Sequence, residues 1–305
     1  MQAPGEIDTA LNAAFNRAHH YAHDSPKIFE DSMAHLMLSD SEREFIANRH
    51  AERLKRLDPD LAATCRDLDE MVSCFMRGGS VTAEILSRSR YAEEILEEGI
   101  GQGVKQYVLI GAGMDTFAFR RPDLNQHLQV FEIDRPEAQS FKRQRLVEAG
   151  LPTPENLHFV PIDFAQENVD TALRRSGHDP QLPTCFGWLG VTPYLEVSDI
   201  LGTLSAIRKV AAVGSRVVFD YIHSDAFDPS RSTEVMQELL ESVRSRGEPL
   251  LGAFEPQDLE KQLAGIGFKI QENLSPEYIQ ERYFQGRSDG YHAMEQVYFA
   301  WATVE

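Results

Sequence analysis

The chain has little of what would send it outside the cell or into a membrane. Only three of its 305 residues are cysteine, Cys65, Cys74 and Cys185. The number is odd, and the spacing matches neither a zinc site nor a disulfide framework. A disulfide-stapled secreted scaffold is thereby excluded, and a reducing compartment is expected. No stretch approaches the roughly 20 consecutive apolar residues of a membrane-spanning helix. Met1-Gln-Ala-Pro-Gly-Glu6 has neither a basic cluster nor an apolar run, so no signal peptide is read there. The expectation is a soluble, cytoplasmic protein without a membrane partner. Positive charge is also scarce: 30 Lys and Arg stand against 48 Asp and Glu, a net charge of -18. A phosphate-backbone binder needs a basic face. The basic run Lys142-Arg-Gln-Arg145 reads as a solvated helix face, so nucleic acid is not expected as a partner and a small molecule is.

Hydrophobic residues make up 42% of the chain, enough for a sizeable core. Residues 1–103 read as helical. Ser39-Asp-Ser-Glu42 begins a cap, and helical periodicity follows through Leu54 to Pro59, then over Leu61–Phe75 and Val81–Glu98. From residue 104 short strands alternate with helices. The strands are read at 104–110, 128–133, 157–162, 184–189, 215–222, 267–271 and 295–301. The helices are read at 136–149, 168–176, 197–211 and 256–264. Such alternation predicts an α/β fold, a doubly wound and mostly parallel seven-stranded sheet of Rossmann-like type. Residues 1–80 form a helical N-terminal segment or lid, and 81–305 the main domain. The long connection 223–254 is a further lid insertion holding one helix near 234–244.

In an open parallel sheet, ligands bind beyond the carboxyl ends of the strands, where strand order reverses. The first strand exits into Gly111-Ala112-Gly113-Met114-Asp115. Glycines there let the backbone turn sharply and approach a ligand. Thr116 stands where a dinucleotide fingerprint needs its third glycine, which argues against a nicotinamide cofactor. Phe131-Glu-Ile-Asp134 ends the second strand. Asp134 lies at the offset expected of a ribose-binding carboxylate, and Glu132, on the same strand face, is the alternative. Pro161-Ile-Asp-Phe164 ends the third strand, where Asp163 accepts from an adenine amino group and Phe164 covers the ring. Taken singly, Asp163 reads first as a helix cap; the cofactor role rests on three such marks in order at three successive strand ends. His19, His20 and His23, with Tyr21, lack a second cluster of matching ligand spacing. They read as a solvated helix or lid edge, and no metal is expected.

Gln106-Tyr-Val-Leu-Ile-Gly-Ala-Gly-Met-Asp-Thr116, followed by Phe131-Glu-Ile-Asp-Arg-Pro136, resembles the leucine carboxyl methyltransferase family. Ser87-Arg-Ser-Arg-Tyr91 and the tail Arg282-Tyr-Phe-Gln-Gly-Arg-Ser-Asp-Gly290 are similar to its bacterial O-methyltransferase branch. The resemblance covers roughly residues 80–300. It implies a class I methyltransferase fold with S-adenosyl-L-methionine as methyl donor and S-adenosyl-L-homocysteine as product. It implies further that Arg88, or alternatively Arg90, meets the cofactor's carboxylate. Gly111 and Gly113 make room for its methionyl and ribose portion, with Ala112 and Asp115 in the same loop. Asp134 holds the ribose, and Asp163 with Phe164 the adenine. Gly187-Trp-Leu-Gly-Val-Thr-Pro-Tyr-Leu195 departs from the family, since Leu189 stands where a glutamate is usual. Only the backbone of Leu189 is then expected to border the cofactor.

The methyl acceptor is expected to be a small molecule, a carboxylate or phenol of polyketide or other natural-product type. A protein C-terminal carboxylate and a non-catalytic cofactor-binding role are the alternatives. A phenol gains from a general base. His223, just after the fifth strand, is the candidate, and Tyr194 and Trp188 are candidates to line the acceptor pocket.

Overall fold

The structure is a computed structural model that describes residues 4–245 and 247–305. Met1 to Ala3, part of the segment read for a signal peptide, lie outside the described residues. No helix among the described residues is long and apolar enough to cross a membrane.

Among the described residues five α-helices precede the first strand: α1 (Pro4–His23), α2 (Asp40–Leu57), α3 (Pro59–Thr64), α4 (Leu68–Gly78) and α5 (Ser80–Gly101). The expected cap of α2 is a complete capping box: the Ser39 side chain accepts from the Glu42 amide, and the Glu42 carboxylate accepts from the Ser39 amide. The run expected at Leu61–Phe75 is two helices. Asp58 and Asp67 each accept an amide three residues on and start a new helix. The segment between α1 and α2 is not helical apart from one turn at Ala34–Met37.

The rest alternates as expected: β1 (Gln106–Ile110), α6 (Phe117–Arg120), β2 (Gln129–Asp134), α7 (Pro136–Glu148), β3 (Leu157–Pro161), α8 (Val169–Arg174), β4 (Thr184–Trp188), α9 (Val197–Arg208), β5 (Arg216–His223), α10 (Glu234–Ser245), β6 (Ala253–Phe254), α11 (Pro256–Ile266), β7 (Phe268–Leu274), α12 (Pro276–Ile279) and β8 (Val297–Val304). The sheet order is β3-β2-β1-β4-β5-β8-β7. Strands β1 to β5 run parallel, while β8 lies antiparallel between β5 and β7. The seven expected strands are present. The eighth, β6, pairs with the end of β5 through Ile222 and His223. Strand order reverses between β1 and β4, which puts the exits of these two strands at the binding position of an open sheet.

Both faces of the sheet are covered. Leu86, Tyr91 and Leu96 of α5 pack with Tyr107, Leu109, Val218 and Ile222 on one face. Val108, Phe131, Phe186 and Phe219 pack with Leu204, Ile207, Leu259 and Leu263 on the other. A third cluster joins Leu11 and Phe15 of α1 to Ile46, Val72, Met76 and Met114. The N-terminal helices are thereby fixed against the loop that leaves β1.

The Lys142–Arg145 run is the expected solvated face only at Arg143 and Gln144. Lys142 is buried and donates to Glu132 at 2.6 Å. Arg145 pairs with Glu42 of α2 and Glu148. Burial pushes the Glu132 carboxyl up to about 7, opposed by the Lys142 ammonium. Removing one partner of a buried pair is costly because it strands the other, whereas replacing both is tolerated. Lys142→Met is therefore expected to destabilise the chain by about 3 kcal/mol at pH 8. Adding Glu132→Leu should restore most of that, as read from urea denaturation midpoints. Equal midpoints for wild type and Lys142→Met would contradict this account of the pair.

Candidate active site

The cradle begins where β1 ends. The Gly111 and Ala112 amides donate to the Ile133 carbonyl, so the loop leaves β1 still attached to β2. Gly111 and Gly113 have φ of +71° and +49°, the left-handed region that glycine occupies at little cost. A Cβ on Gly111 would lie 2.5 Å from Val191, and one on Gly113 would lie 3.3 Å from Ala10 of α1. The Gly113 amide donates to one Asp134 oxygen and the Arg135 amide to the other, both at 2.7 Å. Burial raises the Asp134 carboxyl above its ordinary value, and these two amides oppose the rise. Asp134, the last residue of β2, is thus held in a fixed orientation at the rim of the loop.

Glu132 and Asp134 divide the two roles that strand alternation left open. Glu132 is sealed beneath α7 with Lys142, while Asp134 meets the loop. Asp115 accepts from the Phe117 amide and starts α6. Asp163 is exposed and accepts from the Ala165 amide and the Gln166 side chain, capping a turn that precedes α8. Phe164 beside it is 46% exposed, an uncovered ring at the end of β3.

The two arginines of α5 part company. Residues two apart on a helix point about 200° apart. Arg88 turns to the strand ends. Its guanidinium lies 2.5 Å from Glu84 and 3.5 Å from Asp220 of β5, against Gly190, where φ is +66°. A Cβ on Gly190 would collide with that guanidinium. The Gly190 amide donates to the other Asp220 oxygen at 2.6 Å. Burial alone would lower the Arg88 value, but Glu84 and Asp220 outweigh it and hold the group charged. Burial, then the Asp220 charge, pushes Glu84 up to about 7 against the pull of Arg88. Arg90 points outward, to Glu94 and the Ile28 carbonyl, and lines a separate cleft of about 580 Å³ with Tyr21, Phe29, Glu93 and Arg120.

Leu189 is half-buried and packs toward the α5 side of the sheet, as does Tyr194, which lies within electrostatic reach of Arg88. Trp188 does not line a pocket: it is buried in the core on the opposite face. β4 is central, and its alternate side chains are core on both faces. His223 is likewise separated from the Arg88 cluster. Alternation places it with Tyr221 on the other face of β5 from Asp220. Its ring stacks on Tyr298, its Nδ1 accepts from the Asp225 amide, and Glu255 lies 3.5 Å from Nε2.

Two segments roof the strand ends. Besides Ala10, α1 brings Arg17, which donates to the Met114 carbonyl at 2.7 Å and to Asp31 at 2.8 Å. Asp31 also accepts from Thr116. The 223–254 connection returns to the site where the Leu251 and Gly252 amides meet the Pro193 carbonyl. The two segments touch through Thr9 and Glu248 at 2.9 Å. Glu84, Asp220, Arg17 and Asp31 were not singled out in the sequence. The signal for Asp220 is a carboxylate inside the apolar strand Val217-Val-Phe-Asp-Tyr-Ile222, where a charge requires a partner.

A glycine bend at a topological switch point, a fixed carboxylate on the next strand and a confined cation form the candidate site of a class I methyltransferase fold. The chain belongs to the leucine carboxyl methyltransferase family, whose sequence model matches residues 10–208. YktD of Bacillus subtilis (strain 168), which carries the provisional name S-adenosyl-L-methionine-dependent methyltransferase, is 32% identical over 295 residues, 97% of each chain. A Saccharopolyspora erythraea protein of the same provisional name is 30% identical over 178 residues, 58% of this chain and 60% of that one. Two solved structures share the fold. A DUF574 family protein from Streptomyces avermitilis has a TM-score of 0.54 at 11% identity, covering 95% of this chain and 97% of that one. A provisionally named methyltransferase from Thermobifida fusca has 0.51 at 15%, covering 96% and 94%. The protein is an S-adenosyl-L-methionine-dependent methyltransferase. The residues fit that cofactor: side-chain-free backbone at Gly111 and Gly113, and an oriented carboxylate at Asp134.

If Arg88 receives the cofactor's carboxylate, that anion arrives beside Glu84 and raises its value further, so binding takes up a proton. Affinity then falls as pH rises through and above about 7. By calorimetry, S-adenosyl-L-homocysteine is expected to bind roughly three- to tenfold more weakly at pH 8.5 than at pH 6.5. Glu84→Gln should flatten that slope. An identical slope in Glu84→Gln would remove Glu84 from the site.

Proposed function

We propose that this methyltransferase transfers the methyl group to an oxygen of a small molecule, a carboxylate or a phenol of natural-product type. The observation that carries the reading is the roof. Thr9 of α1 and Glu248 of the 223–254 connection meet over the strand ends, and the Leu251–Gly252 backbone closes onto Pro193. An acceptor confined in this way is small. Leu189, in place of an acid at the exit of β4, makes that wall apolar and weighs against the protein-tail alternative.

In this reading Gly111, Ala112 and Gly113 bind the cofactor with their backbone, Asp134 holds its ribose, and Arg88 its carboxylate. Asp163 and Phe164 flank the adenine. The bound cofactor supplies an electrophilic methyl group on a positively charged sulfur. The protein's task is to hold the acceptor oxygen in line with it and to exclude water. Tyr194 lines the acceptor side, next to Arg88. A carboxylate acceptor is ionised at neutral pH and needs no base. For a phenol, Glu84, whose carboxyl burial already raises and the bound cofactor raises further, is the candidate to take the proton, and this role passes to it from His223.

The test is methyl transfer from isotope-labelled S-adenosyl-L-methionine to panels of small carboxylic acids, phenols and C-terminal peptides. Label is expected in members of the first two panels. Label in the peptides alone would overturn the small-molecule reading.

A further inference from the structure

The histidines of α1 fall into two groups. His20 is buried, its Nδ1 is 2.6 Å from Asp24, and its Nε2 accepts from the Ile28 amide. It is fully used within the fold. His19 and His23 lie four residues apart on one helix face, with their rings stacked at 4.2 Å between centroids. Across from them, in the first turn of α4, is Asp69. Among the described residues, His19, His23 and Asp69 bring three ligand atoms within 4.8 Å of one another.

We propose that His19, His23 and Asp69 bind one divalent transition-metal ion that staples α1 to α4. Two imidazoles and one carboxylate suit Zn²⁺ and its neighbours Ni²⁺ and Cu²⁺, whereas Mg²⁺ and Ca²⁺ demand oxygen donors. Two histidines at i and i+4 are a recurrent helical chelate. The His19 Nε2 is hydrogen-bonded to Ser73 of α4 at 2.8 Å. Such an outer bond orients a ligating ring. His23 and Asp69 are exposed, so the ion has a way in and water completes its coordination. The joint matters because α1 also carries Ala10 against Gly113 and Arg17 onto Met114. An ion at this position holds the helix that covers the cofactor loop.

The experiment uses tag-free full-length protein, stripped with chelator and titrated with ZnCl₂ by calorimetry, with thermal unfolding in parallel. One Zn²⁺ per chain is expected at micromolar affinity, and saturation should raise the unfolding midpoint by about 3 °C. His23→Ala and Asp69→Asn, both at exposed positions, should each weaken binding by about tenfold or more. His35→Ala, away from the cluster, should leave it unchanged. Absence of Zn²⁺ uptake by the wild type would overturn the proposal, as would equal uptake by His23→Ala or an equal response to MgCl₂. None of these readouts depends on the methyl acceptor.

Discussion

The contact between the Asp134 carboxylate and the Gly113 amide fixes the shape of the glycine loop. It joins the exit of β1 to the end of β2. A loop of glycines is otherwise free to adopt many conformations, and that freedom opposes binding. Here the loop is tied twice to β2, through the Ile133 carbonyl and through Asp134. The carboxylate in turn is oriented by two amides and retains lone pairs for hydroxyl donors. Its neighbour Glu132 shows the same residue class put to another use. Two positions earlier on the same strand, it is buried and neutralised by Lys142 from α7. The difference is depth, since Asp134 stands at the rim and Glu132 under a helix.

Around this contact the charged residues are arranged in closed sets. Arg88 is shared by Glu84 and Asp220, and Asp220 also receives the Gly190 amide, which ties the exit of β4 to β5. Asp31 receives Arg17 and Thr116 and lies 3.7 Å from Arg120, whose guanidinium pairs with Glu93. Burial alone would raise Asp31, yet Arg17 and Arg120 hold it below its ordinary value. The first set organises the floor of the site and the second anchors the roof. Both lie at the carboxyl end of the sheet, where the loops of an open α/β fold are free to carry function.

The sheet was legible because β1 to β4 are short β-rich runs that stop at a glycine or an acid, and helices fill most of the gaps. β6 was not, since two residues have no period to detect. The order of Gly111, Gly113 and Asp134 along the chain already described the cradle, which depends on neighbouring strand ends. What escaped were choices set by packing. Arg88 and Arg90 could be known to diverge, but only the seating of α5 decides which one meets the sheet. Trp188 and His223 sit on strands near the site, yet the parity of each strand turns them away from Arg88. Asp220 was visible as an acid in an apolar strand, and its partner lies 132 positions earlier in the chain. His19 and His23 likewise needed Asp69 from another helix before any ligand set could be seen.

The cofactor is expected on the loop 111–115 and Asp134. Hydrogen exchange at saturating S-adenosyl-L-homocysteine measures this directly. Slowed exchange is expected at the amides of Gly111 to Asp115 and at Arg135, with little change in the cleft lined by Tyr21, Arg90 and Arg120. Protection confined to that cleft, with the glycine loop exchanging as in the free protein, would contradict the account.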